Sequence, residues 1–249
     1  MADGEHGLRV GTAGWAIRRE HAGKFAAGSS HLSRHATRLN AAEINSSFHR
    51  PHRPQTYARW ARETPDGFSF SVKMPRHITH ELRLADAEAP LQAFLSECGA
   101  LGDKLGCILI QLPPRLAFDP KIARQFLSLL RRFYEGGAAI ESRHATWFTA
   151  EADKVLASFR VARVAADPVP AKMAEVKDAA VPGGFRDLEY WRLHGSPRIY
   201  YANYEPVFLA ALARRLKKAG KTKDVWCIFD NTVLGHATAN ALELTALTA

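Results

Sequence analysis

Apolar positions in this chain come in short runs that stop at charged or amide side chains. Phe68-Ser69-Phe70-Ser71-Val72-Lys73 alternates strictly between apolar and polar, the period of a strand. Cys107-Ile108-Leu109-Ile110 is continuously apolar, as expected of a parallel strand covered on both faces. Extending this reading gives strands over residues 8–12, 41–45, 68–73, 106–112, 138–141, 161–165, 188–193 and 225–229. Between them, spacing near 3.6 predicts helices over 31–39, 57–63, 90–101, 120–134, 149–157, 206–219 and 237–247. Ser29 or Ser30 is available to cap the first helix, and Pro120 suits a first helical position after Asp119. Residues 16–30 and the Ala-, Pro- and Gly-rich 168–186 read as loops, and 74–80 as an irregular basic loop.

Strands alternating with helices argue for a parallel sheet with crossover helices. Eight such units in 249 residues argue for closure, since a (β/α)8 barrel typically needs ~250 residues. No smaller repeat or linker is visible. The expectation is one α/β domain, a TIM-type (β/α)8 barrel over 1–249.

In such a barrel, active sites are built at the C-terminal strand ends. This chain places there Thr12 and the Gly14-Trp15 turn, Glu43 and Asn45, Lys73 with His80 beyond it, and Gln111. Further on come Glu141, Arg143 and His144, then Asp167, Arg192 and His194, and finally Asp230 and Asn231. Burying many ionisable groups beside a core costs several kcal/mol for each unpaired charge, so a purely structural role is hard to sustain for the whole set. Singly, the bland readings stand: Glu43 and Lys73 as a neutralising pair, Asp167 as a turn cap, Trp15 as a lid on the core. Catalytic candidates are Glu43 or Glu141 as general base, His194 as acid, and Lys73 as a nucleophile if its pKa is depressed. The remaining residues are candidate substrate contacts.

Arg143 and Arg192 offer planar forks for phosphate or carboxylate. The loop from Asp230 to His236 leads into the last helix, where barrels often hold a phosphate. Glu43, Glu141, Asp167, His194 and Asp230 are ligand types that suit Mg, Mn or Zn. Lys73 and two arginines at the same mouth oppose a cation. A divalent metal is therefore possible, but no cofactor is required. His31 and His35, four apart, lack a third ligand and read as a solvated face.

The formal net charge of +9 favours an anionic partner, either a phosphorylated small molecule or nucleic acid. Three cysteines without short spacing make no disulfide framework, and a reducing cytoplasm fits. Residues 1–7 are polar, with no apolar signal core. No apolar stretch reaches the ~18 residues of a membrane span. Oligomeric state is not legible.

Several segments together resemble the YecE-like family, catalogued as domain of unknown function 72. They are Gly11-Thr12-Ala13-Gly14-Trp15, Glu43-Ile44-Asn45-Ser46-Ser47-Phe48, Thr64-Pro65 through Lys73, Thr79-His80, and Gln111-Leu112-Pro113-Pro114. Glu141-Ser142-Arg143-His144 with Trp147, Arg192-Leu193-His194-Gly195, and Phe229-Asp230-Asn231 with Gly235 and Asn240-Ala241 complete the set. The resemblance implies a TIM barrel, one similar to those of sugar isomerases and metal-dependent apurinic endonucleases. The chain departs from the family pattern at Ala16-Ile17-Arg18, at His49 and at Asp230, where the family usually has aromatics and an asparagine.

The functional expectation is an enzyme acting on a phosphorylated or nucleic-acid-derived substrate by acid–base or hydrolytic chemistry at the barrel mouth. Two alternatives stand beside it. One is a non-catalytic nucleic-acid-binding protein using Arg34, Arg38, Arg50, Arg53, Arg76 and the basic run 214–218, with Trp15 and Tyr201 as stacking surfaces. The other is a sugar-isomerase-like metalloenzyme.

Overall fold

The computed structural model describes residues 7–170, 173–176 and 179–249. The polar segment 1–7 lies outside these apart from Gly7, as do parts of the 168–186 loop. The strands are β1 (Leu8–Ala13), β2 (Ala41–Ile44), β3 (Ser69–Lys73), β4 (Leu105–Gln111), β5 (Gly137–Glu141), β6 (Val161–Arg163), β7 (Ala165–Asp167), β8 (Gly183–Gly184), β9 (Leu188–Leu193) and β10 (Asp224–Phe229). They form one sheet of ten strands, in the order β7-β9-β10-β1-β2-β3-β4-β5-β6-β8.

β7, at one end of that order, and β6, next to last at the other, are halves of one strand. β6 pairs with β5, and after a break at Val164, β7 pairs with β9. Val164 N–H still donates to the Ile140 carbonyl at 2.9 Å, which keeps the halves in line. Counting β6 and β7 once and setting aside β8 leaves eight of the ten strands, all paired in parallel around a closed (β/α)8 barrel. The expected strand over 161–165 is this split one. β8 lies inside the expected 168–186 loop and pairs antiparallel with β6.

The helices are α1 (His31–His35), α2 (Pro54–Arg62), α3 (Glu88–Cys98), α4 (Pro120–Phe133), α5 (Ala150–Ser158), α6 (Pro206–Ala219) and α7 (His236–Thr248). Ser30 caps α1 by accepting from Ser33 N–H, and the Ser33 hydroxyl returns to Ser30 N–H. Asp119 caps α4 by accepting from Lys121 and Ile122 N–H at 2.8 and 3.1 Å. α1 ends four residues earlier than expected, and the loop after β3 holds a π-helical turn at His77–Glu81.

Strand alternation sorts side chains between two environments. The interior holds Ala41, Leu109, Ala139, Ala162, Tyr190 and Trp226, among others, with Arg9 stacked 5.4 Å from the Trp226 ring at the N-terminal floor. The outward faces pack beneath the helices in two larger apolar clusters. Gly11 lies where a Cβ would collide with the Ala41 carbonyl, so β1 and β2 approach closely only because that side chain is missing.

Candidate functional site

Glu43, Lys73, Gln111, Glu141 and Arg192 share the inward parity of their strands, and His194 and Asp230 continue it one step past β9 and β10. All seven are buried. At the centre is the Arg192 guanidinium. Its Nη2 is 2.7 Å from Glu43 Oε1 and its Nε 3.0 Å from Glu43 Oε2. Nη1 reaches Glu141 Oε2 at 3.2 Å, and Nη2 lies 3.0 Å from Asp230 Oδ2. His194 sits between the other two acids, with Nδ1 3.0 Å from Asp230 and Nε2 3.1 Å from Glu141. Gln111 Nε2 donates to Glu141 at 3.0 Å.

A guanidinium with three carboxylates fixes the protonation of its neighbours. Burial alone would raise the Glu141 carboxyl; Arg192 and His194 outweigh it and hold Glu141 well below the usual range. Asp230 is lowered in the same way by Arg192 and by its hydrogen bond with His194. Burial and Arg192 push His194 down, but Glu141 and Asp230 raise it overall, favouring an imidazolium with both N–H groups on carboxylates. Arg192, penalised by burial, is raised well above its ordinary value by Asp230, Glu43 and Glu141.

Lys73 differs from the rest. Among the described residues its Nζ makes no hydrogen bond or ion pair, and it stands 4.3 Å from the centroid of the Phe48 ring. Burial and then Arg192 lower its pKa to about 8, against the pull of Glu43, Glu141 and Asp230. The expected Glu43–Lys73 pair does not form: Glu43 is taken by Arg192. Arg143 leans on Glu141 at 3.6 Å with 31% of its side chain exposed; burial lowers its pKa, but Glu141 and then Tyr200 raise it overall. The Tyr200 ring meets His194 edge-on at 5.8 Å. His80 packs edge-on against Phe48 at 5.1 Å. Burial, Arg76 and Lys73 lower its pKa.

Other candidates fall outside this cluster. Thr12 has the outward parity of β1 and bonds His35 Nε2 at 3.1 Å. Trp15 packs edge-on against Trp60 and Phe70 at 5.0 and 6.2 Å. Asp167 faces outward and accepts from the Tyr204 hydroxyl at 2.7 Å. Asn231, also outward, donates to the Ala202 carbonyl and to Asn240 Oδ1, tying β10 to α7. His144 caps the short helical turn after β5 by accepting from Thr146 N–H. Asn45 begins the turn after β2, and its Oδ1 is buried without a hydrogen-bond partner among the described residues.

Sequence reasoning missed four contributors. The Tyr190 hydroxyl donates to Glu43 Oε2 at 2.9 Å and lies 2.8 Å from the Ser71 hydroxyl. Both residues share the inward parity of Arg192 and Lys73, one step deeper, so alternation could have found them. Phe48 and Tyr200 lie in loops, where no period exists to signal them.

The candidate metal ligands do not fit a divalent ion as arranged, because the Arg192 guanidinium sits among Glu43, Glu141 and Asp230. Among the described residues, no group of three or more His, Cys, Asp or Glu side chains is placed to hold a metal. Among them, too, no helix is long and apolar enough to cross a membrane.

The family model "Protein of unknown function DUF72" matches residues 9–249. The chain belongs to this family. It is 28% identical over 124 residues to the UPF0759 protein YecE of Escherichia coli, a match covering 49% of this chain and 44% of that protein. The aligned part is thus less than half the length of that relative. A DUF72 family protein from Enterococcus faecalis superposes with a TM-score of 0.79 at 20% identity, covering 97% of this chain and 95% of the other. One from Thermotoga maritima superposes at 0.76 and 23% identity, covering 97% and 99%. These likenesses show the fold.

Proposed function

We propose that this DUF72 chain is an enzyme of acid–base type, acting at the barrel mouth on a phosphorylated or nucleic-acid-derived anion. Lys73 carries the proton in this reading, and Arg143 holds the anion. The observation that carries it is the Lys73 amine, buried and without a polar partner among the described residues, with a pKa lowered to about 8. A proton-transfer group works best with a pKa near the operating pH. Structural lysines ordinarily end on a carboxylate or a carbonyl. This one ends over an aromatic ring, with Arg143 and His80 close enough to act on the same charge field.

The buried set beneath supplies the field rather than the chemistry. Glu141 and Asp230 are held as carboxylates by Arg192 and His194, so they stay charged while Lys73 changes state. His194 has both ring nitrogens engaged with carboxylates. This argues for an orienting role, where the sequence suggested an acid. Asn45 Oδ1, a buried acceptor with no partner among the described residues, would take a donor from the substrate, such as a sugar hydroxyl or a base N–H.

A thermal-shift screen with phosphosugars, nucleotides and inorganic phosphate tests the reading. A stabilising ligand should lose its effect in Arg143→Ala and keep it in Lys73→Met, which removes the proton carrier but not the anion holder. Turnover should vanish in Lys73→Met. No shift with any phosphorylated compound, or a shift indifferent to Arg143, would remove the proposal.

A further inference from the structure

A second concave site lies beside the mouth, between the loops that follow β3, β4 and β5. It has a volume of about 400 Å3, within the range of small-molecule sites. Its apolar wall is Leu82, Leu84, Leu116, Ile122 and Trp147, with Ala85 and Ala117 at its edge. Leu84, Leu116 and Trp147 are buried, and the Trp147 indole N–H is held by the Leu116 carbonyl at 3.0 Å. The wall is therefore preformed.

Two cations line the same space. Arg83 donates through Nη2 to the Arg115 carbonyl at 3.0 Å and ties one wall to the other. The Arg115 guanidinium makes no hydrogen bond or ion pair among the described residues. The one acid in the lining, Asp119, is engaged in capping α4. The charge of the site is thus positive, with one fork unused.

The backbone here is also unusual. Arg83, Leu84 and Asp86 have φ of 52, 71 and 46°, the left-handed region that side-chain-bearing residues avoid. Three within four positions is strain that persists only where the surroundings over-determine it, and such strain gathers at ligand clamps. Burial of Leu84 and the bond from its N–H to the Ile78 carbonyl hold it in place.

We propose that this groove binds a small amphipathic carboxylate, an acyl or aryl body lying along Leu82, Ile122 and Ala117 with its carboxylate on Arg115. It is separate from the Lys73 site and does not depend on that reading. Neither charge nor shape alone would select this class: an apolar trough beside one unpaired, planar cation does.

Isothermal titration of the whole chain with octanoate, and with octanamide as its uncharged match, tests this. Octanoate should bind at one site per chain and more tightly than octanamide. Arg115→Ala should weaken octanoate at least tenfold and leave octanamide unchanged. Ala117→Trp, which fills the groove from its exposed edge, should abolish both. Lys73→Ala should alter neither. Absence of octanoate binding overturns the proposal. So does octanamide binding equally well, unchanged binding in Ala117→Trp, or loss of binding in Lys73→Ala.

Discussion

Arg192 and Glu43 face each other across the barrel interior through two hydrogen bonds, at 2.7 and 3.0 Å, with side-chain exposures of 1% and 0%. The two are 149 positions apart in the chain, so the pair joins opposite arcs of the sheet. Replacing Arg192 with Met would leave the buried Glu43, Glu141 and Asp230 side chains facing one another without their guanidinium. A buried pair broken on one side typically costs about 3–5 kcal/mol, and urea denaturation should read a loss of that size. Glu43→Gln should cost less, because the amide oxygen still accepts from Arg192.

Stability should peak in mildly acidic solution. His194 is raised above its ordinary 6.5, so its contribution is complete below pH 6.5 and fades as pH climbs through the raised value. Glu141 and Asp230 are lowered from 4.5 and 3.8, so theirs is complete above those values and is lost as pH falls further. Buried His35, lowered to about 4, acts in the opposite sense to His194 and removes stability as pH falls from 6.5 towards 4, so the maximum should lie near pH 6.5. In His194→Gln the decline between pH 6.5 and 8 should disappear from thermal melts. Readings belong below pH 8, since Lys73, lowered to about 8, acts in the opposite sense above it.

Lys73 should titrate apart from the surface lysines. NMR detection of side-chain amines should give one midpoint near 8. In Glu43→Gln that midpoint should move lower, because Glu43 is among the charges that hold the ammonium form. A midpoint above 10 in the native chain would refute the environment described for Lys73.

Gly11→Ala should destabilise the barrel although it adds a single methyl. The new carbon would press on the Ala41 carbonyl, which is backbone and cannot swing away. Overpacking of this kind costs about 1–3 kcal/mol, measurable as a lowered melting temperature with the fold retained.

The barrel was legible because its strands are short, apolar and interleaved with helices, two of which announce themselves by the caps Ser30 and Asp119. The broken strand was read as a single run, since nothing in Val161-Ala162-Arg163-Val164-Ala165 marks which neighbour each half will join. At the mouth, strand ends pointed to the right neighbourhood but not to the right face. Thr12, Asp167 and Asn231 sit at strand ends as expected and turn outward, to His35, Tyr204 and Asn240. Parity counted along each strand separates them from Glu43, Lys73 and Arg192. Trp15 could not be separated that way, because it follows a glycine turn and its direction is set by Trp60 and Phe70.

The interruption at Val164 has a consequence for how the ring opens. Elsewhere one unbroken strand links its two barrel neighbours, but here three residues grip β5 and, past Val164, three grip β9. That seam has no continuous strand across it. Amide deuterium uptake should therefore begin at Val161 to Asp167 and spread outward, leaving the arc from β10 through β4 as the last part to let go.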